Sequence, residues 1–327
     1  MTRDELVATL QQLFGCQGWP KPLHILQGLE WHETGAALHE AARKVGTTEG
    51  YLRQAASAPD AVAAVLGLAL HDVDDAHRQR AAQITGQLLL GRCAELAFEE
   101  IYKSEMHAEE FDLRDLRERR TDTDYRLYNG RGRPVYRINI KFHGSPFRRA
   151  AELVGLEPED CFALATYKIH SALQKQQQEG LPYFFAIVGV PNLTGEAAGK
   201  AIPTPLIEAV ALIAQAPRGR SKRDMEDAVV THLVHSQHPV FVQTYEKILG
   251  AQWYVLSARR AERLLRDLLF ERVFALRMRS FARVFRGAEL DMHFSLSRDL
   301  IPLRCFLATL REGGPQRITT LMERGEY

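Results

Sequence analysis

Asp124-Tyr125-Arg126-Leu127-Tyr128, then Asn129-Gly130-Arg131-Gly132-Arg133, then Val135-Tyr136-Arg137-Ile138-Asn139-Ile140-Lys141-Phe142 decide how this chain is read. The outer runs alternate apolar and polar residues, the pattern of strands with one buried face. The middle run carries Asn-Gly and a second Gly, the composition of a tight hairpin turn. Side chains two apart on a strand share a face, so Asn139 and Lys141 project together. Folding the two runs back about the turn puts Asp124 opposite Asn139. A carboxylate, an amide and an ammonium are thus expected at one point of a sheet.

Reading outward, residues 109–116 form a third strand, with Phe111, Leu113 and Leu116 loosely alternating. A long helix precedes it, from Ala81 to about Lys103. In that helix Gly91 permits close backbone approach, Glu95 follows one turn on, and Leu88, Leu89 and Leu96 supply an apolar stripe. Downstream, Pro158-Glu159-Asp160 opens a helix that runs to about Gln178, and Gly180-Leu181-Pro182 closes it. Tyr183-Phe184-Phe185-Ala186-Ile187-Val188-Gly189-Val190 is nearly all apolar and reads as a strand buried on both faces. The expected order over 86–200 is helix, three strands, helix, strand.

Both flanks read as helical. Residues 4–14 place Leu6, Leu10, Leu13 and Phe14 on one face, residues 34–45 and 48–58 continue in kind, and Pro59-Asp60 opens a helix through Leu70. Beyond 201 the chain is mostly helical to 327, with a short strand at 252–256. Ser257 is placed to cap an Arg-rich helix that starts near Ala258 and carries Arg259, Arg260, Arg263, Arg266, Arg272, Arg277, Arg279, Arg283 and Arg286. The class is α/β (α+β), in three parts: 1–85, 86–200 and 201–327.

With 327 residues, 46 % of them hydrophobic, the chain can build two small domains or one elaborated domain. A formal net charge of +1 means that any nucleic-acid surface must be local. Cys16, Cys93, Cys161 and Cys305 show no paired spacing, which excludes a disulfide frame or a zinc site and suits a reducing compartment. Met1-Thr2-Arg3-Asp4-Glu5 lacks an apolar signal region, and no apolar run is long enough to span a bilayer, so a cytoplasmic protein without a membrane partner is expected.

Oxygen donors beside an ammonium suit phosphodiester chemistry. Hydrolysis needs an activated water, charge neutralisation at phosphoryl oxygens and help for the leaving oxygen, and Mg²⁺ (or Mn²⁺) held by oxygens supplies these. Asp124 is the candidate anchoring ligand, with Asp122 on the same face. Asn139 offers its amide oxygen, Ile140 its backbone carbonyl, and the helix can deliver Glu95. Lys141 would orient the water and offset transition-state charge. Arg131, Arg133, Arg137, Arg148 and Arg149 cluster around this point as candidates for a phosphate backbone.

Gly91-x-x-x-Glu95, Asp124 and Asn139-x-Lys141, in this element order, resemble the PD-(D/E)xK nuclease superfamily, which includes many restriction endonucleases. The resemblance covers about residues 86–190. It implies a restriction-endonuclease-like core and a divalent-metal-dependent endonuclease acting on nucleic acid, DNA more than RNA, in restriction or antiviral defence. A homodimer or an activating protein partner is also implied as an option for double-strand cutting. Asp124 matches the family aspartate, Lys141 its lysine and Glu95 its helix glutamate. Two positions depart: Thr123 precedes Asp124 where proline is common, and Asn139 stands where an acid is usual. Tyr167, Lys168 and Gln174 are available on the downstream helix to complete the site.

Other readings stay open on the sequence. Asp124 and Lys141 could form an ordinary cross-strand ion pair. Loss of an acid at 139 also fits a catalytically inactive nuclease-fold module that binds nucleic acid or supports assembly. His71-Asp72, with His32 or His39, is the core pattern of an HD-type metal phosphohydrolase. His232, His235 and His238 are spaced by three, but no Cys or acid completes a zinc shell around them.

Overall fold

The computed structural model describes residues 1–15, 18–19, 23–66, 73–106, 110–116, 123–144, 147–148, 150–215, 222–270 and 291–324. Short helices come first: α1 (Arg3–Phe14), α2 (His24–Glu33), α3 (Leu38–Lys44), α4 (Glu49–Ala56) and α5 (Ala61–Leu66), followed by the long α6 (Asp75–Glu105). A strand-rich middle follows: β1 (Phe111–Asp115), β2 (Tyr125–Asn129), β3 (Pro134–His143), α7 (Ala150–Val154), β4 (Cys161–Ala165), α8 (Thr166–Glu179) and β5 (Tyr183–Gly189). Then come α9 (Gly195–Ala201), α10 (Thr204–Gln215), α11 (Lys222–His235), α12 (Pro239–Leu249), β6 (Trp253–Ser257) and α13 (Ala258–Phe270). The chain ends with β7 (Asp291–Ser295), α14 (Leu296–Asp299), β8 (Ile301–Pro302) and α15 (Leu303–Arg324), the last broken at Gly314, where φ is 65°.

These elements gather into two units, Met1–Arg92 with Thr194–Thr244, and Cys93–Leu193 with Tyr245–Tyr327. The three consecutive parts expected from the sequence therefore give way to two interleaved ones. In the first unit the reason is α10, where every residue from Leu206 to Ile213 except Glu208 is buried. A helix apolar nearly all round needs partners on several sides, and it finds them in α1 and α11. Glycines let α9 come close to the first part of α6. A Cβ on Gly86 would lie 2.0 Å from the Gly195 carbonyl oxygen, and one on Gly199 would lie 2.0 Å from that of Ala82. No single described helix is long and apolar enough to cross a membrane; α9 and α10 together pass on length and composition but bend by 116°.

The second unit is built on a mixed sheet in the order β1-β2-β3-β5-β6-β8. β1, β2 and β3 form an antiparallel meander, and β5 lies parallel to β3. The expected order of helix, three strands, helix, strand is present in α6, β1–β3, α8 and β5. Within that order the chain adds the short helix α7, and Cys161-Phe162-Ala163-Leu164-Ala165, expected to begin a helix, is strand β4, paired antiparallel with β7 in a separate two-stranded sheet. Four of its five residues are buried, so the run carries no polar face to set a period. The helix starts only at Thr166 and ends at Gly180, whose φ of 67° takes the left-handed cap that glycine favours.

One face of the sheet packs Tyr136 and Phe184 against Phe306 of α15, with ring centroids 5.0–6.2 Å apart. On the same unit, Phe98 of α6 meets Tyr125 at 5.5 Å. A second cluster joins Tyr183, Phe185 and Ile187 of β5 to Ile169 and Ala172 of α8, Phe162 and Leu164 of β4, and Met292 and Phe294 of β7. Ser257 caps α13 as expected, its hydroxyl accepting from the Arg260 N–H at 3.0 Å.

Candidate phosphodiester site

The β2–β3 register pairs Tyr125 with Ile138, which carries Asp124 opposite Asn139. The turn behind this register is held by Asn129, whose side-chain oxygen accepts from the backbone N–H groups of Arg131 and Arg133, each at 3.0 Å. Gly132 takes φ of 68° there, a conformation that L side chains rarely adopt. A bulge follows at Leu127/Tyr128 and absorbs the extra residue of the loop.

Asp124, Asn139 and Lys141 form one bonded group. The Asn139 amide N–H donates to Asp124 Oδ2 at 2.8 Å, and the Ile140 backbone N–H donates to the same oxygen at 2.6 Å. Lys141 Nζ donates to Asn139 Oδ1 and, at 3.1 Å, to the Ile140 carbonyl. The network fixes the amide orientation of Asn139, since nitrogen must face the carboxylate and oxygen the ammonium. It also shows what the amide does. An acid at 139 would set two carboxylates at hydrogen-bond distance, a repulsion that a divalent cation would have to relieve. With Asn, the group closes on itself.

Burial pushes the Lys141 ammonium down to about 8; the Asp124 carboxylate opposes that shift and the charge of Lys168 adds to it. Lys168, on the first turn of α8, therefore lies within electrostatic reach of Lys141. The α6 turn that carries Glu95 runs beside the start of β2: the Tyr125 hydroxyl lies 3.3 Å from the Glu95 carbonyl and 2.7 Å from Glu99 Oε1, to which it donates. Glu95 is thus at the same end of the hairpin as Asp124, half-buried, one turn before Glu99.

The arginines do not gather as expected. Arg137 is only 2 % exposed. It holds Glu179 with two N–H groups, one of them Nε at 3.0 Å, and Arg126 joins the same carboxylate at 3.3 Å. Arg137 is a structural ion pair and presents nothing to a phosphate. Arg131 and Arg133 are exposed, but they sit at the turn, about 17 Å along the hairpin from Asp124 at the usual rise per residue. Arg148 is exposed. Arg149 and Asp122 lie outside the described residues.

His143 is a neighbour that sequence reading passed over. It follows Lys141 by two on β3, burial pushes its imidazole down, and its Nε2 is buried with no hydrogen-bond partner among the described residues. With Gly144, Gly189, Lys247 and Tyr254 it lines a cavity of about 440 Å³ at the ends of β3 and β5. A lone histidine has no spacing signal, and only the strand alternation out of Lys141 could have found it.

Among the described residues no three His, Cys, Asp or Glu side chains converge as a metal-binding group. His71 and Asp72 lie outside the described residues. His32 Nδ1 is 3.2 Å from the Ala36 carbonyl, His232 pairs with Gln12 at 3.0 Å, and His238 Nδ1 accepts from the Val240 N–H. Cys93 and Cys161 are buried, while Cys305 is exposed. No family model, curated protein or solved structure matches the chain.

Proposed function

We propose that the second unit is a divalent-metal-dependent nuclease of PD-(D/E)xK type, with Asp124, Asn139 and Lys141 as its reacting centre. The single observation that carries this reading is the bonded group itself: two cross-strand residues and a lysine, meeting at the position the resemblance requires. The strand order β1-β2-β3-β5, with β5 parallel to β3, supports a restriction-endonuclease-like core.

The donor set suits Mg²⁺ or Mn²⁺ in kind, since Asp124, Glu95, Asn139 Oδ1 and the Ile140 carbonyl are all hard oxygens. When bound there, the ion would lower the pKa of a water and neutralise phosphoryl charge. The chain's own residues do the rest. Asp124 is aimed by the Ile140 N–H and the Asn139 amide. Lys141, charged at neutral pH, neutralises a phosphoryl oxygen. For that its ammonium must leave Asn139 Oδ1 and the Ile140 carbonyl, the two oxygens it now holds.

That last point favours a second reading, a nuclease-fold module that binds nucleic acid without cutting, with Lys141 holding the oxygens a cation would take. The test is cleavage of DNA and RNA by purified protein with Mg²⁺ or Mn²⁺. Activity lost in both Asp124→Ala and Lys141→Ala supports the nuclease. Nucleic-acid binding that survives EDTA, with no cleavage under any metal, supports the module.

A further inference from the structure

The helix α8 links β4 to β5 and has an unusual exposed face. From Thr166 to Gln178 it holds two lysines, Lys168 and Lys175, and no acid. Tyr167, His170, Ser171, Gln174 and Gln178 are all exposed and, at spacings of three and four, line one side of the helix. Tyr167 is 51 % exposed; among the described residues Tyr51, at 39 %, is the other large hydrophobic left in solvent. Isolated exposed tyrosines are ordinary, but Tyr167 is not isolated. The Lys168 ammonium lies 5.8 Å from its ring centroid, and α8 starts directly after β4, whose Phe162 ring meets that of His143, two residues beyond Lys141 on β3, at 5.7 Å.

We infer that the exposed face of α8 is a track for single-stranded nucleic acid, with Tyr167 stacking a base next to the phosphodiester held at Lys141. The charge is complementary: cations and amides without a carboxylate until Glu179, which Arg126 and Arg137 occupy. The strandedness follows from the ring. An exposed aromatic ring takes an unstacked base, whereas bases inside a duplex have their faces covered. Amide side chains at 174 and 178 serve any base or phosphate, so recognition is tolerant of sequence. The inference rests on the phosphodiester reading of Asp124, Asn139 and Lys141, which fixes where the strand passes.

The test uses the full chain in EDTA, so that no turnover intervenes, and fluorescence anisotropy with a dT oligonucleotide and an abasic deoxyribose-phosphate chain of equal length. Wild type should bind the dT strand roughly ten-fold more tightly than the abasic chain. Tyr167→Ala should bring that ratio close to one, and Tyr167→Trp should keep it. An unchanged ratio in Tyr167→Ala overturns the track, as does competition by duplex or by polyglutamate equal to that by the dT strand. The outcomes separate from those of the nuclease reading. A base preference that depends on Tyr167, without cleavage under any metal, removes the enzyme and keeps the track; cleavage with an unchanged preference does the reverse.

Discussion

Two charged groups share one face of β3, four residues apart, and they are built to opposite ends. At Arg137 the guanidinium is matched fork to carboxylate by Glu179, with Arg126 on the same acid. At Lys141 the ammonium is given an amide oxygen and a carbonyl, while the Asp124 carboxylate is already bonded to Asn139 and to the Ile140 N–H. The first cation is saturated, the second is held by neutral atoms and titrates low. A charge fully matched by a fixed acid has nothing left for a ligand, and an under-matched one costs stability and keeps its field for use.

Five experiments bear on that contrast. The largest effect is expected on turnover: Asp124→Ala and Lys141→Ala should each lower cleavage by on the order of 10³-fold, measured with Mn²⁺ on protein whose circular dichroism is unchanged. Glu179→Ala should leave chemistry alone at first order and cost about 3 kcal/mol in urea unfolding, because it strands a buried guanidinium. If instead it costs nothing, the Arg137 group is not structural and the contrast collapses.

Lys141 should leave a pH signature of the same order. Its folded pKa of about 8 lies below the ordinary lysine value of 10.5. Between those values the unfolded chain binds more protons, so stability rises with pH. The burial penalty is fully present below pH 8 and is released by about pH 10.5, on the order of 3 kcal/mol in all. Lys141→Met should abolish the rise, as read by unfolding midpoints across pH 7–10.5. Turnover should fall as pH rises through 8, and Lys141→Arg should move that fall upward. The smallest effect concerns the amide: Asn139→Asp should tighten Mn²⁺ binding roughly ten-fold, by calorimetry, through the added charge. Unchanged affinity would mean that residue 139 does not face the ion.

The hairpin was legible because its information is local. Alternation fixes faces, the Asn129–Arg133 turn fixes register, and together they bring Asp124 to Asn139 without any tertiary knowledge. The cap at Ser257 and the buried strand at Tyr183–Gly189 were readable for the same reason. What the sequence hid is non-local. Glu179 lies 42 residues from Arg137, so Arg137 reads as one more basic residue near a turn. β4 is hidden because its apolar run fits a buried helix or a buried strand equally, and its partner β7 lies far along the chain. On α8, the position of Lys168 depended on where the helix starts, which the missed strand displaced.

The interleaving of the two units has a consequence for synthesis. The early helices of the first unit cannot acquire α10 as a partner until residues near 215 have left the ribosome, and residues 93–193 are made in between. The second unit waits longer, since β6 and β8 arrive from beyond residue 250. A nascent chain of this protein therefore holds apolar helices and open strand edges unsatisfied for most of its translation, the state that chaperones recognise.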